Sequence, residues 1–324
     1  MILLLAGVSA CDKTEAPAVG EAGVTMTLKA TIGDPASRVT FTDDESNKVL
    51  KAEWAAGDKV SVLSVDGSGK LIANDIFTAD AAGKTATFTG TYTGGDAEHV
   101  MVYYPAYTQH NADDTWMAPV ENGYSDEGPF YEVKVGSEYN NHRNSYILQT
   151  ALDSPSHLKY YVQYVGEAVV ADIKSNTMNV VLHCASSVFK LNLTMPSAGK
   201  VLLNASVYAC KSGGSNKNVF GNGWGYIYSG ANSGFSVNTT DEVNVFAGAA
   251  VNSGTASGLT LAGNTVTLYV PVHSPYGAIS FSAGDYLVVD ATYDSAFPKS
   301  DNLVFASDFT FELGKVYTIN ATLN

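Results

Sequence analysis

The sequence predicts an all-β protein made of two antiparallel β-sandwich domains. Three observations carry that prediction. Apolar and polar residues alternate with a period of two in one segment after another. Turn formers, including thirty glycines and ten prolines among 324 residues, interrupt those segments at short intervals. No stretch keeps a helical period for more than a turn or two, the best being 138–152 and 293–300. A chain of this length exceeds what one small core organises, so two domains are expected, at 24–178 and 179–324.

The chain opens with the apolar run Ile2-Leu3-Leu4-Leu5-Ala6-Gly7 and then Val8-Ser9-Ala10-Cys11. Small residues before a first cysteine resemble a bacterial lipobox. Residues 1–10 then read as a signal peptide cleaved before Cys11, whose sulfur would carry the lipid (diacylglycerol, with palmitate-type acyl chains). The run is too short to span a bilayer itself. The other reading is a short buried strand ending in a free thiol. Residues 11–23 are small, charged or Pro, as expected of a flexible tether.

The strands follow in order. Val24, Met26, Leu28, Ala30 and Ile32 alternate against Thr25, Thr27, Lys29 and Thr31, a half-buried strand. Gly33-Asp34-Pro35-Ala36-Ser37-Arg38 is a turn-rich segment, after which Val39 and Phe41 restart the alternation. Lys59–Val65, Thr85–Tyr92, His99–Tyr104 and 130–135 are the next strands. The segment 106–128, with Asp113, Asp114, Trp116 and Pro119, reads as a long loop. Strands at 180–193 and 200–209 are joined at Pro196-Ser197-Ala198-Gly199-Lys200 and read as a hairpin. Residues 211–258 are rich in Gly, Ser and Asn around Trp224, Tyr226 and Tyr228, and read as turns and edge strands. Val266, Leu268, Val270 and Val272, then 286–291, then Phe309, Phe311 and Leu313, and last Tyr317, Ile319, Ala321 and Leu323, supply the closing strands.

A net charge of −14 argues against nucleic acid or an anionic membrane surface as a partner, because phosphate binding needs clustered Lys and Arg. The charge is spread along the chain and reads as solubility, so the expected membrane contact is the Cys11 lipid alone. With Cys11 acylated, Cys184 and Cys210 remain. They share a parity across the expected hairpin, which leaves two readings open: a disulfide, or two separate thiols on one sheet.

The six histidines have no His-x-x-x-His spacing and no Cys-x-x-Cys occurs, so no zinc signature is present. Gly83-Lys84-Thr85 lacks the upstream glycine of a phosphate loop, since Thr78 stands there. The acidic clusters Asp43-Asp44-Glu45 and Asp113-Asp114 lack a calcium-loop spacing, and no nucleophile elbow occurs. The residues therefore name no catalyst, metal or cofactor. Trp116 with Tyr124, and Trp224 with Tyr226 and Tyr228, are the candidates for stacking on a protein or glycan ligand. Their alternative is to cover loop ends. Trp54 reads as core.

The order of lipobox, strand, Arg38 in a loop, Val39-Thr40-Phe41 and then Trp54-Ala55-Ala56-Gly57-Asp58-Lys59-Val60-Ser61-Val62 resembles the fimbrillins and Mfa-like adhesins of Bacteroidetes, subunits of type V pili. The closing Phe311-Glu312-Leu313-Gly314-Lys315-Val316-Tyr317-Thr318 resembles that family's last strand. The resemblance implies two β-sandwich domains of fimbrillin type on a surface-exposed outer-membrane lipoprotein of a fimbrium. It implies an arginine-specific protease that would cut between Arg38 and Val39 and release Val24, Met26, Leu28, Ala30 and Ile32. A strand from another pilus subunit would then fill the vacated groove. The family's stalk subunits carry appended C-terminal strands, whereas this sequence stops at Thr322-Leu323-Asn324, so a tip or accessory role is expected over a stalk role. The expected function is thus a non-enzymatic, adhesive pilus subunit recognising a host or bacterial surface ligand. The alternative is a surface glycan-binding lipoprotein that does not polymerise.

Overall fold

Alternating sequence gives strands, and strands are what the chain forms. The structure is a computed structural model that describes residues 23–32, 42–44, 49–65, 71–95, 97–106, 121–125, 128–134, 147–149, 151–160, 162–169, 175–228, 234–240, 242–247, 251–252, 255–256, 258–273, 279–294 and 302–323. Among these residues every regular element is a strand, apart from one 3₁₀ turn at Ser156–Tyr160. The all-β expectation holds.

Seven strands close into a barrel. Around the wall they run Val24–Ile32, Thr177–Cys184, Tyr164–Ala168, His99–Tyr104, Lys59–Val65, Leu71–Ala79 and Thr85–Tyr92, which returns to the first. Alternation sends every second side chain inward, and Leu28, Val62, Phe77, Phe88, Val102 and Leu182 fill the interior. The interior is a packed core. Trp54 is part of it, completely buried and edge-on to Phe88 at 4.9 Å and to Tyr104 at 5.2 Å.

The Trp54-to-Val62 segment is built for that placement. Trp54 and Gly83 exchange backbone bonds, with Trp54 N–H to Gly83 O at 2.9 Å and Gly83 N–H to Trp54 O at 3.0 Å. Ala55 N–H then donates to Asp58 Oδ2 at 2.6 Å and Asp58 N–H to Ala55 O at 3.1 Å, closing a tight turn. Gly57 stands in that turn at φ +88, where a β-carbon would be strained. The turn aims the chain into Lys59–Val65.

Outside the barrel the chain builds a second set of sheets. One runs Ile147–Gln149, Glu242–Ala247, Val201–Cys210, Tyr286–Tyr293 and Leu303–Val304, and another runs Thr265–His273, Ser186–Thr194 and Val316–Thr322. A single apolar cluster takes Phe189, Leu191, Leu268 and Ile319 from the second and Leu202, Ala205, Val207 and Val289 from the first. Gly314, at φ +75, turns the chain so that Val316–Thr322 lies parallel to Ser186–Thr194.

Several expectations need correction. The sheets are not purely antiparallel: Val24–Ile32 with Thr177–Cys184, Ser186–Thr194 with Val316–Thr322 and Ile147–Gln149 with Glu242–Ala247 are parallel. The strands on either side of Pro196–Lys200 are not a hairpin. Ser186–Thr194 pairs with Thr265–His273, whereas Val201–Cys210 pairs with Glu242–Ala247 and Tyr286–Tyr293. The turn is clasped by Leu261, which accepts from Gly199 N–H and donates to Lys200 O. The chain thus crosses between facing sheets, an arch that buries both apolar faces in one core. Parity alone cannot tell that arch from a hairpin.

Cys184 and Cys210 accordingly form no disulfide and lie, both buried, on different sheets. Cys184 belongs to the barrel core and donates to Ser186 O at 3.3 Å, while Cys210 is registered with Tyr286. The barrel's last strand runs on to Cys184, past the expected boundary at 178, and the strands at Glu121–Ser125, Gly128–Lys134 and Ile147–Gln149 pair away from the barrel. Helical turns were expected within 138–152, where the described residues hold the strand Ile147–Gln149. Of 293–300, Tyr293 ends a strand and 295–300 lie outside the described residues.

Candidate functional site

The candidate site is the first strand and the slot that it fills. Threonines and Lys29 alternate with apolar residues over Val24–Ile32, and the β-branched content suits an extended backbone. Met26, Leu28, Ala30 and Ile32 are fully buried in the barrel core, while Thr25 and Lys29 face outward. Val24, grouped with the buried set by its parity, is 41% exposed, because it lies at the strand's free end opposite Tyr92.

Two different walls hold the strand. Val24 to Thr31 are registered antiparallel with Tyr92 to Thr85, and Thr27 to Ile32 are registered parallel with Thr177 to Leu182. Thr27 N–H donates to Asn176 O at 3.1 Å, and the Thr31 and Thr85 hydroxyls meet at 3.1 Å on the outer surface. Inside, Leu28 stands level with Phe88 and Met178, and Ala30 level with Ala86 and Val180. Ala30 therefore marks a narrow place in the slot, between two walls whose side chains are themselves buried.

Removing this strand would uncover three large side-chain sites, each worth roughly 1.5–3 kcal/mol of burial. Such a sum is comparable with the roughly 5–15 kcal/mol that holds a whole domain folded. It would also leave backbone donors and acceptors unpaired on both walls, which another extended segment can satisfy.

The remaining sequence candidates are not gathered around this slot. Cys11, Arg38, Val39 and Trp116 lie outside the described residues. Tyr124 falls in the strand Glu121–Ser125. Trp224, Tyr226 and Tyr228, expected among turns and edge strands, occupy alternate positions of the strand Phe220–Tyr228, in register with Lys134, Glu132 and Phe130. A regular ladder with Gly128–Lys134 overrides the local Gly and Asn content there. No group of metal-ligating side chains is found among the described residues.

Sequence reasoning missed the parallel wall. Met178, Val180, Leu182 and Cys184 are buried on even positions, and Phe189, Leu191 and Leu193 on odd ones. That switch of parity at Ala185 is a readable signal that one long apolar run serves two sheets.

Fold and site together define an all-β protein with a barrel closed by its own first strand. No family model matches the sequence, and no curated protein does. Solved structures are similar to it at low identity. One is a protein assigned to cell adhesion from Bacteroides ovatus, 9% identical, covering 93% of each chain with a TM-score of 0.43. Another, also assigned to cell adhesion, comes from Bacteroides uniformis, 14% identical over 93% of this chain and 96% of that one, with a TM-score of 0.37. A third is the fimbrial anchor protein Mfa2 from Porphyromonas gingivalis, 7% identical over 92% of this chain and 91% of that one, with a TM-score of 0.34. No helix among the described residues is long and apolar enough to cross a membrane.

Proposed function

We propose that this chain is a surface-exposed fimbrial adhesin that assembles by exchange of its first strand. The observation that carries the reading is the position of Val24–Ile32: four buried side chains, a strand on each side, and Arg38 a few residues downstream. A cut between Arg38 and Val39 would sever that strand from the rest of the barrel. A strand from another subunit would then find an apolar slot and two open backbone edges.

In this reading Cys11 carries the lipid that holds the chain at the outer membrane until processing, and residues 11–23 are the tether. The chain has two domains, a barrel and a second, sandwich-like unit with its own apolar cluster. The role is that of a tip or accessory subunit with no catalytic activity, and its ligand on a host or bacterial surface is a protein or a glycan.

The test is limited digestion of residues 12–324 with an arginine-specific protease, followed by intact mass, N-terminal sequencing and size analysis. A new N-terminus at Val39, loss of the strand and formation of oligomers would support the reading. A chain that is nicked there yet keeps its strand and stays monomeric would favour the alternative, a glycan-binding lipoprotein that does not polymerise and uses Trp116 or Trp224.

A further inference from the structure

The sheet formed by Thr265–His273, Ser186–Thr194 and Val316–Thr322 has two edges, and the chain treats them differently. Along Thr265–His273 the positions turned away from the neighbouring strand are capped. Thr267 N–H donates to Asp153 Oδ1 at 2.6 Å, and Thr267 O accepts from Asp153 N–H at 3.1 Å. Tyr269 N–H donates to Gln149 Oε1 at 2.9 Å, and Tyr269 O lies 2.8 Å from His157 Nε2. The next position on that side is Pro271, which has no N–H to offer.

Val316–Thr322 forms the other edge and has no such cover. Val188 N–H donates to Lys315 O at 2.9 Å and Leu323 N–H to Thr194 O at 2.8 Å, so the odd positions from 315 to 323 face Ser186–Thr194. Val316, Thr318, Asn320 and Thr322 therefore turn their backbone groups to the open side. Among the described residues no strand is registered there and no backbone bond reaches it. Thr318, Asn320 and Thr322 are exposed. The strand itself holds no Lys, Pro or bulge, the devices that commonly blunt an edge.

An aromatic shelf adjoins this edge on the core side. Phe311 is buried between Phe189, at 5.0 Å, and Tyr317, at 4.6 Å. Phe309 lies further out, 5.9 Å from Tyr317 and stacked on Phe305 at 5.5 Å, and it is 38% exposed. Val304, just before Phe305 in the edge strand of the facing sheet, is exposed as well. An open backbone edge and a partly bared aromatic shelf thus share one flank.

We propose that two copies of the chain join edge to edge along this flank, through Val316–Thr322. Three features select a second copy as the occupant. The open positions are all even, so a two-fold, antiparallel pairing sets Thr318 opposite Asn320 of the second copy and Val316 opposite its Thr322, each residue exchanging both backbone bonds. The run from Val316 to Leu323 holds no charged side chain in a chain of net charge −14, so the copies meet here without like charges opposed. The two-fold axis also keeps both aromatic shelves on the same side of the joined sheet, where apolar surface meets apolar surface. The contact lies outside the barrel and does not depend on exchange of the first strand.

The test is sedimentation equilibrium of uncut residues 12–324 from about 1 µM to about 200 µM, where a dimer with a Kd of roughly 1–100 µM is expected. Thr318→Pro removes an outward N–H from each copy and no bond to Ser186–Thr194. It should weaken the dimer at least about tenfold while leaving the urea midpoint near that of the parent. A second pair of variants reads the register without proline. Thr318→Glu with Asn320→Glu opposes like charges across the joint and should abolish the dimer, whereas Thr318→Glu with Asn320→Lys opposes unlike charges and should keep it. The proposal is overturned if the parent is monomeric throughout the range, if neither Thr318→Pro nor the double Glu variant weakens the dimer, or if the Glu and Lys variant is weakened as much as the double Glu one. Every measurement uses uncut chain, so cleavage at Arg38 is judged separately by its own digestion experiment.

Discussion

Replacing Leu28 with alanine measures what the first strand contributes. Leu28 is completely buried, with Phe88 level on one wall and Met178 on the other, and both of those are completely buried too. A Leu→Ala change in a core costs about 2–5 kcal/mol, and the value rises when the surroundings cannot collapse into the void. Here both neighbours are themselves packed in the barrel core, so about 3–5 kcal/mol is expected. The assay is urea unfolding followed by tryptophan fluorescence, with Trp54 in the affected core. With a slope near 2 kcal/mol/M the midpoint should fall by roughly 2 M. Lys29→Ala, one residue along but on the outward face, is the control and should stay within about 0.5 kcal/mol. A Leu28→Ala midpoint within about 0.3 M of the control would refute the reasoning, because the strand would then contribute no core.

Other outcomes follow from the same structure. Ala30→Leu should destabilise by about 1–3 kcal/mol in the same assay, because the narrow place between Ala86 and Val180 must be overpacked. Burial holds the His157 imidazole down at about 4, with its Nε2 2.8 Å from Tyr269 O. The folded state thus stays neutral while the unfolded chain takes up a proton near pH 6.5, and stability falls as the pH drops from about 6.5 to about 4. The loss amounts to about 3 kcal/mol, and unfolding curves of His157→Gln against the parent chain at pH 7 and pH 4.5 should show that slope removed. Arg38→Lys should abolish cutting by an arginine-specific protease at that position, read by intact mass, while leaving the unfolding midpoint unchanged.

The sequence by itself determined the class of the fold and the buried face of the strands that alternate most cleanly. Alternation at Met26, Leu28, Ala30 and Ile32, at Ala86 and Phe88, and at Val266, Leu268, Val270 and Val272 is a local property of an extended backbone, and every one of these residues is buried. The Trp54 to Val62 segment was legible for a related reason: the Ala55–Asp58 turn is closed by its own hydrogen bonds. Partners were not legible, because a strand's alternation says which side is apolar and nothing about which neighbour lies beside it. Only the tertiary structure decided that Pro196–Lys200 is an arch between sheets, that Trp224 lies in a ladder with Lys134, and that the first strand runs parallel to Thr177–Cys184. Strand pairing joins residues more than a hundred positions apart, and its energy lies in backbone bonds that every sequence can make. For that reason the slot became visible only once the barrel was closed.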